Sequence, residues 1–212
     1  MEPAFWQNRW KENKIAFHED KANVLLSKHF SRLALTEGSR VFVPLCGKTN
    51  DLAWLVDQGY QVVGIELNQA AVEEAFHAMG ISPRVEKLDQ FIHYRSDIAE
   101  VFAGDFFDLS TDMLGTVDAI YDRAALVALP SEMRQPYTRH LIKLTKSAPQ
   151  FLISYEYDQS QTEGPPFSVP GNEISKLYHD QYTLELIASV DVSGSLSKRC
   201  HGNENAWLLS TV

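Results

Sequence analysis

The sequence predicts an α/β domain with a mostly parallel sheet, helices on both faces and an antiparallel strand at its C-terminal end. Three observations carry this. Short apolar runs such as Val41-Phe42-Val43 and Val62-Val63-Gly64-Ile65 alternate with amphipathic stretches, the pattern of parallel strands buried on both faces. The first run closes in a tight turn, Pro44-Leu45-Cys46-Gly47-Lys48, and the second in a carboxylate, Glu66. Two strand-like runs then end the chain with no helix between them.

The elements follow in order. Asn23 to Leu35 places Val24, Leu25, Phe30, Leu33 and Leu35 at a helical period and stops at Gly38. Val41–Pro44 is the first strand, and 51–58 is a helix turning Leu52, Leu55 and Val56 inward before Gly59. Gln61–Leu67 is the second strand, followed by a helix over 69–79 that stops at Gly80. Phe91–Tyr94 is either a short extra strand or part of an irregular connection. Ile98–Ala103 is a third strand ending in Gly104-Asp105, and Val117–Tyr121 a fourth. A helix starts after Pro130 with Ser131 as its expected cap. Phe151–Tyr157 is a fifth strand, and the three prolines and two glycines of Glu163–Gly171 make an ordered loop. Asn172–His179 reads as a helix, and Leu184–Val192 with Ala206–Val212 as the two closing strands.

Length and composition bound the rest. A chain of 212 residues with 44% hydrophobic and 22% charged residues suits one soluble domain spanning 1–212. A net charge of −9 argues against a nucleic-acid or anionic-membrane partner. No apolar run is long enough to span a bilayer, and the N-terminus has no signal-peptide core. Cys46 and Cys200 lack metal-ligand spacing, and the seven histidines show no ligand motif, so no metal site is expected. A reduced, cytoplasmic monomer is the expectation.

The chemistry-bearing residues cluster at strand ends. Glu66 stands 66 − 47 = 19 residues beyond Gly47, near the ~20 that separates a nucleotide-binding turn from a ribose-binding acid. A carboxylate there accepts hydrogen bonds from both ribose hydroxyls, and otherwise it caps a helix or lies in a solvated turn. Asp105 and Phe106 end the third strand, where an adenine would lie; Phe107 reads as core. Asp122-Arg123 interrupts an apolar passage, and charge there is costly unless paired or set in a cleft. It serves either as an ion pair closing the following helix or as a cofactor- and substrate-facing group. Trp6 and Trp10 share a helical face, with Phe17-His18 beyond them, in a segment (1–22) that precedes the sheet and can fold over its carboxyl edge as a lid. Cys46 reads as a small apolar filler.

Taken in order, these motifs resemble the thiopurine S-methyltransferase family, in its bacterial branch. The resemblance rests on Trp6-x-x-x-Trp10, Ala16-Phe17-His18, the strand and turn from Val41 to Lys48, and Val62-Val63-Gly64-Ile65-Glu66. Phe107-Asp108-Leu109, Tyr121 to Ala128 and Gly164 to Pro170 continue it, and the match loosens after residue 171. It implies a Rossmann-like fold with a seven-stranded sheet and an N-terminal helical, aromatic lid. It also implies methyl transfer from S-adenosylmethionine to the sulfur of thiopurines and other aromatic or heterocyclic thiols. Selenium or tellurium compounds are further implied acceptors, in detoxification and tellurite resistance. By position the resemblance makes Trp10, Leu45, Glu66, Asp105, Phe106 and Arg123 cofactor-contacting, and Phe17 and Arg123 substrate-contacting; Trp6 on the lid segment and Gly47 in the turn are further cofactor-binding candidates. Arg123 is the catalytic candidate, stabilising the thiolate or thione form. A second family arginine has no clear counterpart; Lys198 and Arg199 are nearby but in a departing pattern. Two rival readings are a nucleotide-dependent oxidoreductase, which wants further glycines in the turn, and a catalytically silent cofactor-binding protein.

Overall fold

The computed structural model describes residues 3–12, 19 and 21–211. In chain order it contains α1 (Pro3–Lys11), α2 (Val24–His29), β1 (Arg40–Val43), α3 (Asp51–Asp57), β2 (Gln61–Glu66), α4 (Gln69–Met79), β3 (Arg84–Leu88), β4 (Phe91–Arg95) and β5 (Ala99–Ala103). There follow α5 (Thr111–Leu114), β6 (Ala119–Arg123), α6 (Ser131–Thr145), β7 (Gln150–Tyr157), α7 (Gly171–Tyr178), β8 (Tyr182–Asp191) and β9 (Gly202–Thr211).

One sheet runs in the order β3-β4-β5-β2-β1-β6-β7-β9-β8. The five central strands, β5 to β7 in that order, pair in parallel; among the described strands β4 and β9 run against the others. The seven expected strands are all present, and the hairpin β3–β4 extends the sheet beyond them. Phe91–Tyr94 is therefore a strand. Its partner β3 has every residue exposed, so an edge strand of this kind carries no apolar pattern to read.

Alternation along the strands sorts side chains into two cores. Val41 and Val43 face Leu25, Leu26, Leu52, Leu55, Val72 and Phe76 of α2, α3 and α4. Phe42, Val63 and Ile120 face Leu114, Tyr137, Leu141, Ile174 and Tyr178 of α5, α6 and α7. A strand covered on both faces needs an apolar residue at every position, which is why β1 and β2 read as unbroken runs. Helix starts follow capping chemistry. Asn23 accepts from the amides of Leu25 and Leu26, and Asn68 from that of Ala71. The expected Ser131 cap is displaced by one residue. Pro130 flanks α6 without a side-chain cap bond, and Ser131 is its first helical residue.

The chain moves from β1 outward to β2, then returns to place β6 on the other side of β1. Connections therefore diverge at the carboxyl ends of β1 and β6, which opens a crevice there. The turn after β1 and the ends of β2, β5 and β6 all reach this edge.

Candidate active site

Apart from Gly47, the expected residues on these elements arrive at one cavity of about 220 Å³. Trp6, Trp10, Leu45, Glu66, Asp105, Phe106 and Arg123 line it together. Phe17 and His18 lie outside the described residues.

Gly47 is set one step back from the cavity lining. Its amide donates to Glu66 Oε2 over 2.9 Å, while the amide of Asn68 donates to Oε1 over 2.9 Å. Glu66 thus organises both neighbouring turns as well as lining the cavity. Burial pushes its carboxyl above the usual range, against the opposing pull of the Asn68, Gly47 and Leu67 amides. Leu45 and Ala124, both lining the cavity, take left-handed φ values of 47° and 64°. Non-glycine residues adopt such backbone at a cost, and they concentrate where surrounding structure imposes a ligand-facing turn. Cys46 is buried against Gly64, where an added Cβ would lie 2.9 Å from its sulfur. Burial and the Glu66 charge hold its thiol well above its ordinary pKa, so it stays neutral as the filler reading expects.

At the end of β5, Asp105 Oδ1 accepts the Phe107 amide over 2.9 Å and starts a short 3-10 turn. Phe106 is buried against Tyr137, with ring centres 5.0 Å apart. Phe107, expected in the core, is instead 39% exposed and lines the cavity. The turn directs Phe106 inward and leaves Phe107 at the rim.

Asp122 and Arg123 do not pair with each other, because successive strand residues point to opposite faces. Asp122 faces α6, accepting from Tyr137 Oη at 2.7 Å and the Leu126 amide at 3.1 Å. Full burial pushes its carboxyl up to about 6, against those two hydrogen bonds. Arg123 faces α3. Its Nη2 lies 3.1 Å from Glu19 Oε2 and its Nη1 3.8 Å from Asp51 Oδ2. Asp51 is held in turn by Tyr121 Oη at 2.9 Å and by the Asn23 amide at 2.7 Å. Desolvation opposes the charged form of Arg123, but Asp51, Tyr155, Tyr121 and Glu19 together outweigh it and raise its pKa further, so the guanidinium is permanently cationic. Its Nε is buried without a hydrogen-bond partner.

A second cavity, of about 390 Å³, shares Trp6, Arg123, Ala124 and Ala128 with the first. Glu19, Tyr155, Pro165, Pro166 and Arg199 help to line it. The proline loop that forms one wall is fastened: the Phe167 amide donates to Val127, and the Arg134 guanidinium stands 5.8 Å over the Phe167 ring while binding both Glu173 oxygens at 2.8 Å. Glu19 and Tyr155 gave no motif signal, and Arg199 was named without a role. All three come from segments far apart in sequence. Among the described residues no cluster of three or more His, Cys, Asp or Glu side chains has metal-binding geometry, and no helix is long and apolar enough to cross a membrane.

A family model described as thiopurine S-methyltransferase matches residues 1–208. The thiopurine S-methyltransferase of Xanthobacter autotrophicus is 49% identical over 210 residues, covering 99% of each chain. That of Acinetobacter baylyi is 46% identical over 214 residues, again covering 99% of each. Among solved structures, the 1,6-didemethyltoxoflavin-N1-methyltransferase of Burkholderia thailandensis, with bound 1,6-didemethyltoxoflavin and S-adenosylhomocysteine, superposes with a TM-score of 0.67 at 14% identity, covering 99% of this chain and 87% of that one. The magnesium protoporphyrin IX methyltransferase of Synechocystis with bound S-adenosylmethionine gives 0.65 at 14% identity, covering 99% and 97%. At such identity the structural likeness establishes the fold.

Proposed function

The chain belongs to the thiopurine S-methyltransferase family, a family of S-adenosylmethionine-dependent methyltransferases, and from this we propose that it methylates the sulfur of thiopurines and other aromatic or heterocyclic thiols. The observation that carries the reading is the convergence of Glu66, Asp105, Phe106, Leu45 and Arg123 on one cavity that shares a wall with another.

The residues present fit the cofactor. Glu66, a buried carboxylate with lone pairs left after two amide contacts, suits a ribose diol. Asp105, Phe106 and Phe107 offer an acceptor and rings for an adenine. The Leu45-Cys46-Gly47 turn has no row of glycine amides for a pyrophosphate, which favours the methionine portion over a dinucleotide. S-adenosylmethionine, when bound, supplies a methyl group already activated on a sulfonium.

The chain's task is then to position and to exclude water. Trp6 and Trp10 on α1 line the cofactor cavity, and Trp6 also lines the second, so α1 acts as a lid across both. Pro165 and Pro166 give the second cavity a flat, fastened wall suited to a planar acceptor. Arg123, common to both cavities, stabilises negative charge on the acceptor sulfur as it attacks in line. The reading is tested by incubating the enzyme with methyl-labelled S-adenosylmethionine and a panel of thiopurines, thiophenols, alkyl thiols, selenite and tellurite. Preferential labelling of the heteroaromatic thiols supports it, and labelling of none of the sulfur compounds refutes it.

A further inference from the structure

We propose that Glu19 is the proton acceptor for the thiol, taking the proton of a neutral acceptor and thereby freeing Arg123 to stabilise the resulting thiolate; this rests on the reading of the second cavity as the acceptor site.

The charge balance around Arg123 leads to this. Its guanidinium already faces two carboxylates, Glu19 at 3.1 Å and Asp51 at 3.8 Å. A third, Glu204, lies behind, accepting from Asn23 Nδ2 at 3.0 Å and Tyr155 Oη at 3.4 Å. Against these stand Arg123 and Arg199. Desolvation raises the Glu204 pKa, and even with Glu204 protonated the site is only neutral. Before the cofactor's sulfonium is counted, these side chains offer no net positive charge with which to capture a thiolate from water. A neutral thiol enters without that penalty.

The proton then needs a destination. Asp51 is 1% exposed and both of its oxygens are engaged, so it cannot receive it. Tyr155 lines the cavity, but burial and the Glu204 charge push its phenol up, leaving it protonated. Glu19 is the carboxylate among the described lining residues, its side chain is 42% exposed, and its backbone is fixed by Asn50 Nδ2 donating to its carbonyl over 2.8 Å.

The step balances. The acceptor S–H bond breaks, its proton moves to Glu19, and the electron pair stays on sulfur. Neutral Glu19 no longer satisfies Arg123, whose charge passes to the thiolate beside it. The new S–CH3 bond forms as the sulfonium S–CH3 bond breaks, with that electron pair leaving on the departing sulfide sulfur. Glu19 returns its proton to water through its exposed side.

The test compares wild type with Glu19→Gln on two thiols at mildly acid pH: 4-methoxythiophenol, largely neutral there, and 4-nitrothiophenol, ionised. The kcat/KM ratio of the first to the second falls roughly a hundredfold in Glu19→Gln, the scale of a general base. Glu19→Asp recovers part of it. Binding of both thiols to the cofactor-free proteins is followed in parallel by absorbance, and Glu19→Gln shifts preference several-fold towards the ionised one. An equal loss on both thiols, or an unchanged ratio, overturns the proposal. Should wild type methylate no thiol, the proposed function fails separately, and an unshifted binding preference still overturns the role of Glu19.

Discussion

The amide of Gly47 donates to Oε2 of Glu66 over 2.9 Å, so the turn after β1 and the acid ending β2 form one unit. A ligand that binds Glu66 therefore meets a carboxylate already oriented by its neighbours. Glu66→Gln turns an NH2 group towards one of the two amides that the carboxylate now accepts. Its affinity for S-adenosylhomocysteine in calorimetry is expected to fall by tenfold or more, roughly 1.5–3 kcal/mol for a charged hydrogen-bonding group. Because burial raises the Glu66 pKa, wild-type affinity is expected to decline on acidification before an ordinary glutamate would titrate. Unchanged affinity in Glu66→Gln would remove the ribose role.

Arg123→Ala and Arg123→Lys should differ. The alanine variant leaves buried Asp51 without its cation, and losing one partner of a buried pair costs about 3–5 kcal/mol, visible as a lowered denaturation midpoint. The lysine variant keeps a charge but not the planar fork that spans Asp51 and Glu19. It is expected to hold most of the stability while turnover drops roughly a hundredfold. Full turnover in the lysine variant would mean that the guanidinium has no special part.

Stability should depend on pH through Asp122. Its folded pKa of about 6 lies above its ordinary value, so the folded state binds the proton more tightly. That contribution is complete below the ordinary carboxylate range and is lost as pH rises through about 6. Glu66 and Glu204 are shifted in the same direction. Glu100 opposes them: His93 and Arg40 hold its pKa down despite burial, so its contribution is lost on strong acidification. Denaturation midpoints are expected to rise as pH falls from neutral towards about 5 and to fall below about 4. Asp122→Asn should flatten the upper limb by up to about 1.4 kcal/mol per pH unit. A midpoint independent of pH over that limb would refute the shift.

Gly104 directly follows β5, and an added Cβ there would enter the ring of Phe91, which is fully buried. Gly104→Ala must displace that ring or the strand end bearing Asp105 and Phe106. A loss of about 1–3 kcal/mol in urea denaturation is expected, together with weaker cofactor binding. Wild-type stability in Gly104→Ala would contradict the packing.

How much was legible varied with the physics behind each signal. Central strands such as Val62-Val63-Gly64-Ile65 are apolar at every position because both faces are covered, so sequence displays them directly. The edge strand Arg84–Leu88 is exposed throughout and left no such trace. Phe106 and Phe107 are chemically alike, and only the Asp105-initiated turn sends one inward and the other to the rim. An ion pair between Asp122 and Arg123 was one of two open readings of the sequence, and strand alternation separates them.

By itself, then, the sequence determined the alternating α/β order, the turn after β1 with the acid that ends β2, and the family resemblance, since all of these lie in local patterns and fixed spacings. Tertiary structure alone decided what surrounds Arg123. Glu19, Asp51, Tyr155 and the stretch holding Arg199 and Glu204 are four separate segments, and charge balance depends on distances through space that no spacing along the chain encodes.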